Sequence, residues 1–186
     1  MRTDARRIAR GRLVLERLQA EVGSPPEAFE DFYVREFPAV VGLAYALSGS
    51  RWAAEDLAQE AFLAAHRDWT RVGSYEQPGA WVRRVVANLS VSAFRRRAIE
   101  TKALARLAIS QAEPLPDLAA GDPEFWATVR GLPRRQAQVV ALFYLEDRSV
   151  AQIADILGMT AGTVKRHLYD ARRTLARRLR VPEDVG

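Results

Sequence analysis

Residues 149–168 read SVAQIADILGMTAGTVKRHL. Val150, Ile153, Ala154 and Leu157 recur at the spacing that gives a short helix one apolar face. Gly158 is the residue type that takes the left-handed conformation ending a helix, and Thr160 is a capping type poised to begin the next. This is the grammar of a helix-turn-helix. In the second helix Val164, Leu168, Ala171, Leu175 and Leu179 recur every three or four residues, so they form one stripe that must pack on the preceding helices. At 100 degrees per residue, Lys165, Arg166, Tyr169, Arg172 and Arg173 share the other side, with Asp170 beside them.

The start of that helix is small: Ala161, Gly162 and Thr163 follow the capping Thr160. A recognition helix needs this, because its first turn must approach base edges and backbone closely while its dipole favours phosphate. A merely solvated basic face would tolerate Glu and Lys there and would not require glycine at the turn. Asp170 reads as an i to i+4 partner of Arg166, a pair worth about 0.3–0.5 kcal/mol, in preference to an acceptor for a cytosine amino group.

The rest of the chain is also helical in pattern, with no strand alternation, which predicts an all-α fold of two small helical domains. A basic lead over residues 1–24 stops at Gly23-Ser24-Pro25-Pro26. From Glu27 a helical segment carries Phe29, Phe32, Tyr33 and Phe37 up to Pro38, which is expected to kink it or to start a new helix. VVGLAYAL then ends at Ser48-Gly49-Ser50, RWAAEDLAQEAFLAAHRDW follows, and a turn-rich TRVGSYEQPG leads into AWVRRVVANLSVSAFRRR. The stretch AEPLPDLAAGDP has a linker's composition. The expected division is an extension over 1–24, a first domain over 25–98, a flexible linker over 99–122 and a second domain over 123–182. In the second domain FWATVRGL is a short helix and Pro133 can sit in the first turn of PRRQAQVVALFYL.

Composition narrows the function. The chain of 186 residues has no Cys and two His, which excludes disulfides and thiol chemistry and argues against a metal centre or other cofactor. No apolar run approaches the ~20 residues that span a bilayer, and the N-terminus has no signal-peptide core, so a cytoplasmic protein without membrane insertion is expected. A net charge of +5 suits a polyanionic partner. Lys occurs only at 102 and 165, and coding bias in a GC-rich genome is the simpler account of the arginine excess. Only six residues follow Arg180, so no additional C-terminal regulatory domain is expected.

In the first domain Ala54, Ala58, Ala61, Phe62, Ala65 and Trp69 fall on one helix face as a core, while Asp56, Gln59, Glu60 and Leu63 share another. An acidic patch with a leucine inside a basic protein reads either as a docking surface for a basic partner or as solvated carboxylates. A catalytic use of Asp56 and Glu60 would need a third ligand or a basic partner, and none is found. The last helix of this domain is expected to set Trp81, Val85, Val86 and Leu89 on the core, leaving Arg83, Arg84, Asn88, Arg95, Arg96 and Arg97 for solvent or phosphates. The loop before it, residues 72–79 with Tyr75, could hold an unstacked base beside that basic helix.

Three stretches in order, EDLAQEAFLAAHRDW, AWVRRVVANLSVSAFRRR and LPRRQAQVVALFYLEDRSVAQIADILGMTAGTVKRHLYDARRTL, make residues 27–180 resemble an extracytoplasmic-function sigma factor of the bacterial sigma-70 family. The resemblance implies sigma region 2 and region 4 joined without an intervening domain, and a specificity subunit that is not an enzyme. It implies that Asp56, Gln59, Glu60 and Leu63 bind the β′ clamp helices of core RNA polymerase, with region 4 at the β flap. Tyr75, Arg83, Arg84, Asn88 and Arg95–Arg97 would then melt and hold the minus-10 element as single strands, Asn88 matching a position implicated in base capture. The contacts to duplex minus-35 DNA would come from Thr160, Gly162, Thr163, Lys165, Arg166, Tyr169, Arg172 and Arg173. An anti-sigma protein would be a further partner. Where family members often carry K-S-R after G-T-V and a basic residue at the place of Asp170, this chain has Lys165-Arg166-His167 and the acid. The rival reading is a homodimeric helix-turn-helix regulator that binds a palindrome without polymerase.

Overall fold

The computed structural model describes residues 27–90 and 122–179, among which there are eight helices and no strand. The first unit comprises α1 (Phe29–Ser48), α2 (Arg51–Arg67), the single turn α3 (Trp69–Val72) and α4, residues 78–90. The second comprises α5 (Pro123–Arg130), α6 (Arg134–Tyr144), α7 (Val150–Leu157) and α8 (Ala161–Arg178). The basic lead, Arg95–Arg97 and all of the expected linker except Asp122 lie outside the described residues.

Helix α1 runs through Pro38 without starting a new helix. Proline removes the N–H that would meet the carbonyl of Val34, and Pro38 and Val34 are both exposed, so water can serve that carbonyl. The helix ends where Gly49 takes φ +70° and its N–H donates to the carbonyl of Tyr45 at 2.7 Å. One residue later Ser50 caps α2, accepting from the N–H of Ala53. α1 packs along α2. Ala54, Ala58, Ala61 and Ala65 are fully buried on α2, and such small side chains let the helix backbones approach closely. At one end Phe29, Phe32, Tyr33, Phe37, Phe62 and Trp69 stack edge-on and tilted, and the indole of Trp69 donates to the carbonyl of Glu27 at 3.1 Å.

In the second unit the two caps expected from sequence are present: Gly158 closes α7 at φ +62°, and Thr160 accepts from the N–H of Thr163 at 3.2 Å. The structure adds a reciprocal capping box of Ser149 and Gln152 at the start of α7. Pro133 stands one residue ahead of its expected place, as the N-cap of α6. Val164, Leu168, Ala171 and Leu175 of α8 are buried against α6 and α7, each larger side chain contributing about 1.5–3 kcal/mol. Leu179 completes the stripe, half-buried.

The two units are packed on each other, with α1 against α5 and α6. α4 lies in this junction, and that shifts its buried face. Trp81, Val85 and Leu89 are half-buried on the core as expected, but the side chains wholly enclosed are Val82, Arg83, Val86 and Ala87.

Candidate functional site

Three surfaces follow from this framework. On α2, Asp56, Gln59, Glu60 and Leu63 all face outward, and Leu63 is 56% exposed. The same stripe continues back through Trp52, four residues before Asp56, whose indole is 76% exposed. Sequence reading passed over Trp52 as one more aromatic; its register with Asp56, Gln59 and Leu63 at i+4, i+7 and i+11 was the available signal. An exposed indole beside two carboxylates offers a large apolar contact with charge at its flank.

The second surface is the outer side of α8. Thr160, Gly162, Thr163, Lys165, Arg166, Tyr169, Arg172 and Arg173 are all exposed there, Tyr169 at 66%. The first turn is pre-shaped, since the hydroxyls of Thr160 and Thr163 bond each other at 2.8 Å as part of the cap. Asp170 reaches Arg166 only at 4.0 Å across one helical turn, as a loose ion pair. Arg172 is more constrained: its Nε donates to the hydroxyl of Tyr144 at 2.7 Å, and its guanidinium lies over the Phe143 and Tyr144 rings.

The third surface, the basic side of α4, departs from expectation. Arg83 does not face solvent; its side chain is 3% exposed. It donates through Nη1 to Glu36 of α1 at 2.7 Å, through the same nitrogen to the carbonyl of Gly79 at 3.1 Å, and through Nε to Glu146 in the α6–α7 turn. Burial opposes the charge of Arg83, but Glu146 and Glu36 outweigh it and raise its pKa above the ordinary arginine value. At Glu36 burial likewise acts to raise the pKa, and the hydrogen bonds and charges of Arg83 and Arg35 overcome it and hold the carboxyl below the usual range. Gly79 leaves room for this pair: a Cβ there would come within 2.9 Å of the Arg83 guanidinium and 3.0 Å of the Glu36 carboxylate.

The other α4 residues are engaged as well. Arg84 donates from Nε to the carbonyl of Ile156 at 2.8 Å and from Nη2 to that of Asp155, in the last turn of α7. Asn88 accepts from Arg134 at 3.4 Å, and the carbonyl of Ala87 accepts from the buried Gln138 at 2.5 Å. Arg130 of α5 reaches the carbonyl of Ala46 in the last turn of α1 at 3.5 Å. Each unit therefore extends an arginine onto a helix C-terminus of the other, where the dipole is negative and carbonyls lack intrahelical partners. Tyr75 remains exposed in the loop before α4. Among the described residues no group of three His, Asp or Glu side chains is arranged to hold a metal, and no helix is long and apolar enough to cross a membrane.

An all-helical chain ending in a capped helix-turn-helix with an open basic face defines a class of DNA-associated proteins, and comparison with known proteins narrows it. Residues 32–99 match the family model for Sigma-70 region 2, and residues 124–175 that for Sigma-70, region 4. The ECF RNA polymerase sigma factor SigM of Mycobacterium tuberculosis is 31% identical over 88% of this chain and 83% of its own length. The "Probable RNA polymerase sigma factor RfaY" of Xanthomonas campestris is also 31% identical, over 75% of this chain, which spans only 37% of that longer protein. Among solved structures, the sigma factor RpoE of Bartonella quintana, crystallised with the anti-sigma factor NepR, matches with a TM-score of 0.60 at 25% identity, over 83% of this chain and 98% of RpoE. The chain belongs to the extracytoplasmic-function family of RNA polymerase sigma factors, the regulatory, non-catalytic factors of promoter-specific transcription initiation.

Proposed function

We propose that this sigma factor docks on core RNA polymerase through Asp56, Gln59, Glu60 and Leu63 of α2, reads minus-35 duplex with α8, and opens the minus-10 element with the loop and helix around Tyr75 and α4. The observation that carries the reading is the contrast on α8: its apolar stripe is buried, and every side chain assigned to DNA is exposed around a capped, sterically open first turn. Lys165, Arg166 and Arg173 supply phosphate and guanine-edge chemistry, and Tyr169 supplies apolar contact. The acidic stripe on α2 is complementary in charge to a basic helical surface on the β′ clamp, and region 4 would sit at the β flap. Melting is driven by binding: capture of unstacked bases offsets a few kcal/mol per step while polymerase holds both units at fixed separation. The protein acts in the cytoplasm with polymerase, and an anti-sigma factor is its regulator, a reading supported by the structural likeness to a sigma factor crystallised with one.

The test is binding of the purified chain to sigma-free core polymerase, comparing wild type with Asp56→Arg/Glu60→Arg. Tight binding abolished by the reversal is the expected result. Absence of wild-type binding together with tight duplex binding by the protein alone would sink the reading in favour of a stand-alone regulator.

A further inference from the structure

Arg172 is an α8 cation held from a second helix by two kinds of contact. Its Nε donates to the hydroxyl of Tyr144, the last residue of α6, at 2.7 Å. Its Cζ also lies 5.4 Å from the ring centroid of Phe143 and 5.7 Å from that of Tyr144. Both Arg172 and Tyr144 are nonetheless exposed, Tyr144 at 45%. Arg172 shares the stripe of Lys165 and Tyr169, which precede it at i−7 and i−3. It stands 12 residues beyond the capping Thr160, which is about 18 Å of helical rise. A recognition helix reads base edges with its N-terminal residues, and the major groove is about 12 Å wide. A side chain this far along the axis therefore meets the sugar-phosphate wall.

The bond to Tyr144 leaves polar capacity unused. An arginine that staples one helix to another turns its fork on carbonyls, as Arg178 of the same helix does by donating from Nη1 to Gly131 at 3.0 Å. Among the described residues Arg172 makes no such bond through Nη1 or Nη2; only its Nε is engaged, and with a hydroxyl. A guanidinium has five N–H donors, so four remain for a ligand. Because the tyrosine oxygen accepts from Arg172, its own proton is free to donate, and the two rings restrain the guanidinium plane. We propose that Tyr144 and Arg172 form a phosphate clamp for duplex DNA, in which the Nη N–H groups and the tyrosine O–H take one phosphodiester, Tyr144 being the residue that positions Arg172. This rests on the reading of α8 as the duplex-facing helix and adds to it a residue of α6. The contact carries no sequence information; it fixes the register at which Lys165 and Arg166 meet the bases. Multidentate, charge-assisted bonding is the geometry in which a guanidinium outperforms an ammonium.

The test uses the full chain and two short fluorescein-labelled duplexes of unrelated sequence, titrated at several salt concentrations. The variants are Arg172→Ala, Arg172→Lys, Tyr144→Phe and the double variant Arg172→Ala/Tyr144→Phe, with Arg166→Ala as a control on the same helix; thermal melts verify that each is folded. Arg172→Ala should flatten the slope of log K against log salt by about 0.9, the counterion release of one phosphate, equally on both duplexes. Arg172→Lys should restore the slope but not the full affinity, since the charge returns without the planar fork. Tyr144→Phe keeps the ring and the slope and should weaken binding about fivefold, the loss of one ordinary hydrogen bond. In the Arg172→Ala background the same change should cost less than about twofold, because the pair acts on one ligand. An unchanged slope in Arg172→Ala overturns the clamp. So does an equal effect of Tyr144→Phe in both backgrounds, its having none in either, or a loss confined to one duplex, which is base reading. Arg166→Ala separates the failures: if it weakens binding and Arg172→Ala does not, only the clamp is wrong; if neither matters, the duplex-facing role of α8 falls as well.

Discussion

Helices α4 and α8 are both arginine-rich in sequence, and the fold uses them in opposite ways. On α8 the cations assigned to DNA are exposed, Arg166 in one loose pair at 4.0 Å with Asp170 and Arg172 resting on Tyr144 and Phe143. On α4 the central cation is enclosed by two carboxylates, and its neighbour is bound to carbonyls of the other unit. A basic helix thus states only that anions are wanted. Whether they come from a nucleic acid or from the chain itself is decided by what packs against it.

The largest effect that could break this contrast lies at Arg83. Replacing it with methionine removes the cation that Glu36 and Glu146 share and leaves each with one other arginine, Arg35 and Arg148, so thermal or denaturant unfolding should show a loss of about 2–3 kcal/mol. A loss below about 1 kcal/mol would mean that the enclosure is looser than its geometry. Next is Trp52→Ala, expected to weaken core-polymerase binding by about 2 kcal/mol, as for a truncated aromatic anchor, with no change in folding stability because the indole is exposed. Arg166→Ala on α8 should cost about 1–3 kcal/mol in polymerase-dependent minus-35 binding if Arg166 reads a base, while leaving the melting temperature unchanged.

A smaller effect is expected at the turn between the two recognition elements. Gly158→Ala meets no atom within 4 Å but must hold φ +62°, so a penalty of about 1–2 kcal/mol from backbone strain alone is predicted in thermal melts. The smallest is a pH effect at Glu36. Because its folded pKa lies below the unfolded one, its contribution to stability is complete above the ordinary carboxylate range and fades as pH falls through the lowered value. Denaturant midpoints of wild type and Glu36→Gln should therefore converge on acidification; a difference that grows toward low pH would reverse the sign of the argument.

These outcomes bear on why some parts of the molecule were legible in sequence. The helix-turn-helix could be read residue by residue because its determinants are local: Gly158, Thr160 and the stripe from Val164 to Leu175 act within a few residues of themselves. The outward set on α2 was legible for the same reason, since one helical period separates the alanine face from the acidic one. Arg83 was not, because its partners lie 47 and 63 residues away in sequence and no periodicity within α4 reports them. Pro38 left two outcomes open in sequence, a kink or a new helix, and an exposed carbonyl at Val34 let one helix continue through it. Gln138 gave a faint signal that was not used, a polar residue in the apolar run before Val139 and Val140, which marks a buried group with a fixed acceptor.

The crossed arginines, Arg84 on the end of α7 and Arg130 on the end of α1, join two parts of one polypeptide. Forming the junction is consequently a first-order event, governed by the local concentration that the tether imposes and not by how much protein is present. Dilution leaves such a contact shut, whereas added salt weakens its charged part.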